Sequence, residues 1–248
     1  MTVRLTVLGC GDAFSDGGRM TSAYLVEDRA GRLMLDFGLT ALTSLQRAGI
    51  APDSVETIVL SHLHGDHFGA LPVLLLWREF HGDPAHPLTV IGPPGMPARL
   101  RALHEAMYPG SWRTAWRFPL ELVELAPGEP MERGGRRITS LPVNHDAGAE
   151  PATGLRLETD GRVIAFSGDS GWCESLVALA EGADLFLCEC NLWSGPGEGG
   201  HMSHERLAAE LPRLSARRIL LVHMGPEMLS HSGPLAAERA EDGMVIAL

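Results

Sequence analysis

Apolar residues along this 248-residue chain recur with two different periods. Short runs that alternate with polar residues, or stay apolar throughout, read as strands; longer runs with one apolar face every three to four residues read as amphipathic helices. The first pattern predicts strands over 3–8, 22–27, 32–36, 55–60, 88–91, 120–125, 137–143, 154–159, 162–167, 184–190, 218–223 and 244–247. The second predicts helices over 39–48, 67–80, 96–107, 173–181 and 203–214, with Gly49 closing the first of them. Strands come in runs with helices interspersed, which restricts the fold to the α/β or α+β class. No repeat, low-complexity tract or linker interrupts the pattern, so residues 1–248 are expected to form one domain.

The ends of the apolar runs carry the chemistry. The buried-strand pattern Val55-Glu56-Thr57-Ile58-Val59-Leu60 leads into His62-Leu63-His64-Gly65-Asp66-His67. His62 and His64, two apart, can point the same way from an extended loop, whereas Asp66 and His67 begin the next element and reach a second point. That spacing suits two adjacent metal ions, and imidazole with carboxylate suits zinc, iron or manganese better than calcium. Three later runs also end on a candidate ligand: Ile138 to Asn144 on His145, Arg162 to Gly168 on Asp169, and Arg218 to Val222 on His223. Each of these three, taken alone, reads as a capping or surface residue.

Taken together, the residues resemble the metallo-β-lactamase superfamily. Its H-x-H-x-D-H signature is followed by a lone His, a lone Asp and a final His, each at a strand end. The resemblance spans residue 3 to about 225 and implies a four-layer αββα sandwich. It also implies that His62, His64 and His145 hold one divalent ion, that Asp66, His67 and His223 hold a second, and that Asp169 bridges them. Asp36, at the end of Arg32-Leu33-Met34-Leu35, resembles the family's Asp that holds a ligating imidazole in position; the bland alternative is a strand-end turn. Glu189 resembles the acid of the H-E-A-T motif of ribonuclease Z, and Gly200-His201-Met202-Ser203 its G-H-S-T motif. Only the acid of the first motif survives, within Cys188-Glu189-Cys190-Asn191.

A His oriented by a carboxylate is a suitable general acid near neutral pH. The resemblance therefore implies a dinuclear phosphodiesterase, with zinc, manganese or iron, in which hydroxide on the metals attacks phosphorus. Asp66 would take a hydrogen bond from that hydroxide, and His201, backed by Glu189, would protonate the leaving oxygen. A phosphodiester, a cyclic nucleotide or a cyclic phosphonate-derived ester fits this arrangement. Hydrolysis of a carboxylic ester, lactone or thioester is the alternative on the same metals, with a β-lactam the least favoured. A non-enzymatic metal-binding protein is a third reading, disfavoured because every residue of the ligand signature is present. The bland reading of His201 is a helix-entry residue beside the N-cap Ser203, and His204 is expected on the exposed helix start.

Composition narrows the partners. The net charge is −11, and all 20 cations are Arg, so a Schiff-base or P-loop lysine is excluded. Such acidity disfavours long RNA, whose binding depends on phosphate neutralisation, and favours a small or short phosphodiester. Arg113, Arg117, Arg133, Arg136 and Arg137 are the candidates for a local basic patch, against the plainer reading of a solvated surface. No apolar stretch reaches the roughly 18 residues of a membrane span. The first eight residues alternate like a strand instead of a signal peptide, which points to the cytoplasm. Cys10, Cys173, Cys188 and Cys190 suggest no disulfide framework, and Cys188 and Cys190 share a strand face as reduced core or near-site residues instead of a metal knuckle. Gly9 to Arg19 reads as a strand-end loop; it resembles the N-terminal loops that border the site in ribonuclease Z-like proteins, with an ordinary turn as the alternative. Trp112 and Trp116 fit a substrate wall or lid; the plainer reading is a hydrophobic loop that anchors one sheet, or a homodimer contact.

Overall fold

Strands whose two faces are both covered should be apolar at successive positions, and this is how the two sheets are built. The computed structural model describes residues 2–113, 115–195 and 198–248. The first sheet contains β1 (Arg4–Gly9), β2 (Ala23–Asp28), β3 (Gly31–Leu35), β4 (Thr57–Val59), β5 (Leu88–Gly92) and β6 (Leu120–Glu124). The second contains β7 (Met131–Arg133), β8 (Arg136–Pro142), β9 (Thr153–Thr159), β10 (Arg162–Phe166), β11 (Leu185–Glu189), β12 (Ile219–Val222) and β13 (Glu238–Arg239). The last strand, β14 (Val245–Ala247), returns to the first sheet and pairs with β1. The orders are β14-β1-β2-β3-β4-β5-β6 and β13-β12-β11-β10-β9-β8-β7.

Each sheet begins antiparallel and then turns parallel, from β3 to β6 and from β10 to β13. Parallel neighbours need crossovers, and the helices supply them. In the first half these are α1 (Ala41–Arg47), α2 (Gly65–Phe68), α3 (Leu71–His81) and α4 (Met96–Met107). In the second half they are α5 (Glu174–Ala180), α6 (His204–Glu210) and α7 (Pro226–Ser230).

Side-chain alternation then sorts the apolar residues into three layers of core. On β2, Tyr24 and Val26 face the space between the sheets, while Ala23 and Leu25 face the first set of helices. On β11, Leu185 and Leu187 face inward, while Phe186 and Cys188 face α5 to α7. Each Leu or Phe buried this way contributes about 1.5–3 kcal/mol relative to exposure. The result is the expected four-layer αββα arrangement, with the central core between the sheets.

The boundaries depart from the periodic pattern where backbone groups find tertiary partners. The helix expected over 67–80 splits into α2 and α3. The His67 carbonyl accepts from Phe37 N at 2.6 Å, and Pro72, which has no N–H to donate, restarts the helix. The helix expected over 203–214 ends at Glu210 and tightens into a 3-10 turn over Leu211–Arg213, where Pro212 sits. β7, β13 and α7 lie outside the predicted elements. β7 had a usable signal, because Gly134 and Gly135 both take positive φ in the two-residue turn to β8.

The cysteines are free, and Cys188 and Cys190 are buried in the outer core as expected. Three of the candidate basic residues are paired: Arg133 with Glu121, Arg136 with Asp28 and Arg137 with Glu132. Trp112 and Trp116 meet edge to face and flank the buried His104 of α4, which packs them against the outer core. No helix among the described residues is long and apolar enough to cross a membrane.

Candidate active site

Six strands deliver polar residues to one edge of the sandwich. Asp36 follows β3, Ser61 and His62 follow β4, His145 follows β8, Asp169 follows β10, Glu189 ends β11 and His223 follows β12. Two of these residues leave their strands in the left-handed region, Asp36 at φ 57° and His223 at φ 55°. Such a backbone costs on the order of 1–3 kcal/mol, less for Asp and His, and here it turns the side chain toward the edge. The His223 N–H donates to Cys10 O at 2.9 Å, which ties the N-terminal loop to the same edge.

Two glycines permit the close approach. A Cβ at Gly38 would lie 2.0 Å from the Asp66 carbonyl oxygen, so no other residue fits beneath the start of α2. A Cβ at Gly200, where φ is +81°, would lie 2.5 Å from Asn144 O and 2.7 Å from His145 Cα. Gly200 thereby lets His201 sit beside His145, their ring centroids 4.9 Å apart.

The structure brings together the nine residues expected to ligate metal or to take part in catalysis, in three overlapping clusters. His62, His64, His145 and Asp169 form the first; Asp66, His67, Asp169 and His223 the second; Asp169, Glu189, His201 and His223 the third. In the first, His145 Nε2 lies 3.1 Å from His64 Nδ1, and Asp169 Oδ2 lies 3.8 Å from Nε2 of both His62 and His145. In the second, His67 Nε2 is 3.1 Å from both Asp66 Oδ2 and Asp169 Oδ1. His223 Nε2 is 3.1 Å from Asp66 Oδ2 and 3.4 Å from Asp169 Oδ2. Two donors on one tetrahedral zinc stand about 3.4 Å apart, given bonds of about 2.1 Å, and the observed separations bracket that value.

The donors themselves fit a divalent cation. Nε2 of His62, Nε2 of His67 and Oδ1 of Asp169 are buried without a hydrogen-bond partner. Unpaired buried polar atoms are costly, and their convergence is the arrangement a cation satisfies. Burial and the neighbouring His67 hold the His62 imidazole well below its ordinary pKa, which keeps its lone pair free. Burial opposes ionisation of Asp169, yet His223 and His67 hold its carboxyl well below the usual range. Asp66 is likewise lowered, against its burial, by His67 and by its hydrogen bond to His223. The clustered His and Asp side chains are thus suited to divalent metal.

Beneath the ligand candidates lies a hydrogen-bonded support. Asp36, fully buried, accepts from Ser61 N at 2.7 Å and Ser61 Oγ at 2.8 Å, and its Oδ2 is 2.6 Å from His67 Nδ1. With Nδ1 held by Asp36, Nε2, the ring nitrogen beside Asp66 and Asp169, is the atom the ring can offer to a cation. Asp36 therefore lies against the His67 ring, the position its resemblance implied. Ser61, which the sequence reading passed over, helps hold it and lies between the apolar run and His62.

On the other side, Glu189 is buried and contacts His201 Nδ1 through Oε1. Its other oxygen accepts from Ser170 N, and its own N–H donates to Ser167 Oγ at 2.8 Å. Burial opposes protonation of His201, but the hydrogen bond and charge of Glu189 raise its pKa above the ordinary value. The His201 and His223 rings stack at 10° and 5.7 Å between centroids. His204 corrects the sequence expectation: it is buried, stacked on Trp193 at 4.5 Å, with Nε2 accepting from Ala236 N at 2.9 Å. An open cavity of about 370 Å³ leads to the clusters, lined by His64, Asp66, His145, Asp169, His201 and His223 and by residues of the N-terminal loop.

Two facing sheets with His and Asp converging at the strand ends define the metallo-hydrolase fold of the metallo-β-lactamase type, with a candidate metal site. The fold is shared with the metallo-beta-lactamase fold protein YhfI from Bacillus subtilis, at a TM-score of 0.80 and 21% identity over 100% of both chains. Residues 3–243 match the family of the anti-Pycsar protein Apyc1, and the chain belongs to that family. The uncharacterized protein ML1173 of Mycobacterium leprae is 34% identical over 254 residues, covering 100% of this chain and 87% of that protein. A ribonuclease Z of Mycobacterium bovis is 32% identical over 195 residues, covering 75% of this chain and 69% of that enzyme.

Proposed function

We propose that the protein is a metal-dependent phosphodiesterase with a dinuclear site, acting in the cytoplasm through one hydrolase domain over residues 1–248. His62, His64 and His145 would hold one ion and Asp66, His67 and His223 the other, with Asp169 within reach of both groups. The ligand set favours zinc, with manganese and iron as alternatives. Two divalent ions there supply Lewis acidity, activating water near neutral pH and neutralising charge on the phosphate.

The chain's own side chains do the rest. The Asp66 carboxylate, facing the cavity, orients the attacking water and accepts its hydrogen bond. His201 carries a proton for the leaving oxygen, and Glu189, in contact with its Nδ1, fixes the ring and favours the protonated form. Asp36 acts through His67 by holding its ring.

One observation carries the reading: the Glu189–His201 pair stands beside Asp169 and His223 with His201 on the cavity wall. An alkoxide leaving from phosphorus needs a proton, and a His held by a carboxylate on the cavity wall is a group that can supply it, which supports the reading. Similarity to a ribonuclease Z supports the same chemistry. The acidic chain and the paired Arg133, Arg136 and Arg137 favour a small or short substrate over long RNA.

The experiment is hydrolysis of bis(p-nitrophenyl) phosphate by protein of counted metal content, beside a matched carboxylic ester and a chelated control. Chelator-sensitive phosphodiester cleavage with two metals per chain is expected. Cleavage of the carboxylic ester alone would replace this reading with a lactone or thioester hydrolase.

A further inference from the structure

The N-terminal loop presents an aromatic ring at the mouth of the candidate site. Phe14 is 84% exposed, more than the other exposed large apolar side chains among the described residues, yet it lines the cavity that leads to the metal-ligand clusters. A solvent-facing Phe at a cavity mouth sacrifices its burial energy unless a ligand covers it.

The loop that carries Phe14 is built to hold it in place. The buried Asp12 accepts from Phe14 N at 3.3 Å and from Asp16 N at 3.0 Å through one oxygen, Oδ1. Asp12 O accepts from Ser15 N at 3.2 Å, and Ser15 sits in the left-handed region at φ 57°. The loop's base is anchored by Asp242, whose carboxylate accepts from Cys10 N at 3.0 Å and Met20 N at 2.7 Å. Cys10 O takes the N–H of His223, so the loop's frame is that of the site itself.

We propose that Phe14 is a stacking platform for the nucleobase of a small phosphodiester substrate. The inference rests on the phosphodiester reading above and names the part of the substrate that the metal clusters do not touch. A planar π face is the ligand chemistry that an exposed, preorganised Phe recognises, and base-on-aromatic stacking tolerates any base. Asp16, on the same rim, counts against a polyanionic strand and favours a mononucleotide-sized ester with a single phosphate. The cavity volume, about 370 Å³, lies at the lower end of the range for small-ligand sites.

The test separates base recognition from catalysis. Binding of a nucleoside monophosphate and of ribose 5-phosphate is measured by calorimetry on the metal-loaded protein and on Phe14→Ala and Phe14→Tyr. The wild type is expected to bind the base-bearing ligand about tenfold more tightly. Phe14→Ala should erase that preference without changing ribose 5-phosphate binding, and Phe14→Tyr should restore it. In parallel, Phe14→Ala should raise KM for a nucleoside 3′,5′-cyclic phosphate, leave kcat unchanged and leave the base-free ribose 3′,5′-cyclic phosphate unaffected. Equal loss on both ligands, or an unaltered preference in Phe14→Ala, would overturn the proposal. Absence of all phosphodiester turnover with the base preference intact would instead count against the reaction and leave the stacking site standing.

Discussion

Two of the regions that bury charge in this sandwich are finished differently. Away from the metal-ligand clusters, Arg136 on β8 reaches Asp28 at the end of β2 through two hydrogen bonds of 2.7 Å. Thr159 Oγ1 donates to the same carboxylate at 2.7 Å, and Ala30 N donates at 2.8 Å, so every strong acceptor position is used. At the strand ends, Nε2 of His62, Nε2 of His67 and Oδ1 of Asp169 are equally buried and have no partner. A saturated ion pair clamps one sheet to the other; an unsaturated cluster is a receptor. The lesson is that burial of charge is not by itself a sign of function, whereas burial with lone pairs left converging is.

Four experiments would break or sharpen that contrast. The largest effect belongs to the unsaturated cluster. Asp66→Ala should remove a ligand and the water-orienting carboxylate together, lowering hydrolysis by a factor on the order of 10³ or more and reducing bound metal, while the melting transition stays cooperative. Unchanged turnover would sink the dinuclear assignment.

Next comes the clamp. Arg136→Met leaves the Asp28 carboxylate buried without its cation, and the free energy of unfolding should fall by about 3–5 kcal/mol in denaturant titrations. Metal content and kcat of the folded fraction should not change. Replacing Asp28 by Leu in the same variant should recover most of the loss, since two apolar groups leave no charge stranded. A loss of metal in Arg136→Met would mean that the two regions are coupled.

The third effect lies in the leaving-group dependence. His201→Ala should slow alkyl phosphodiesters by about 10²-fold and p-nitrophenyl esters far less, because nitrophenolate departs without a proton. Equal losses on both would remove the general-acid role and reduce His201 to a packing residue.

The smallest effect is a pH dependence of stability. Burial pushes the Asp28 carboxyl upward, but Arg136 and Thr159 more than reverse this, and its pKa lies below the ordinary value. A depressed carboxylate pKa contributes stability above the unfolded-state value of about 3.9, and this contribution is lost as pH falls through the folded value. Wild-type stability should therefore drop below about pH 4, and the drop should be shallower in Asp28→Asn. Identical acid limbs for the two proteins would show that the pair is not what acid disrupts.

Local sequence made much of this protein readable. His62, His64, Asp66 and His67 are neighbours in the chain, so their convergence follows from one strand end and one helix start. His145, Asp169 and His223 became legible only through the family resemblance, in which each follows an apolar run at a strand end and in the same order. Asp36 could be read the same way. The period-2 alternation that sorted residues between the central and outer cores is likewise a relation between near neighbours.

What only the tertiary structure decided involves partners far apart in sequence. Asp28 and Arg136 are 108 residues apart and meet because two sheets stack, a relation with no local signature. His204 looked exposed at a helix start until Trp193 covered it. The split between α2 and α3 depends on Phe37 N taking the His67 carbonyl, and the short strand β13 exists because β12 offers an open edge. Phe14 has an unremarkable place in the sequence, and only the fold puts it at the mouth of the cavity. Periodicity is set by a residue and its nearest neighbours; satisfaction, burial and exposure are set by whichever distant segment packs there, and the chain does not spell out that segment in any local pattern.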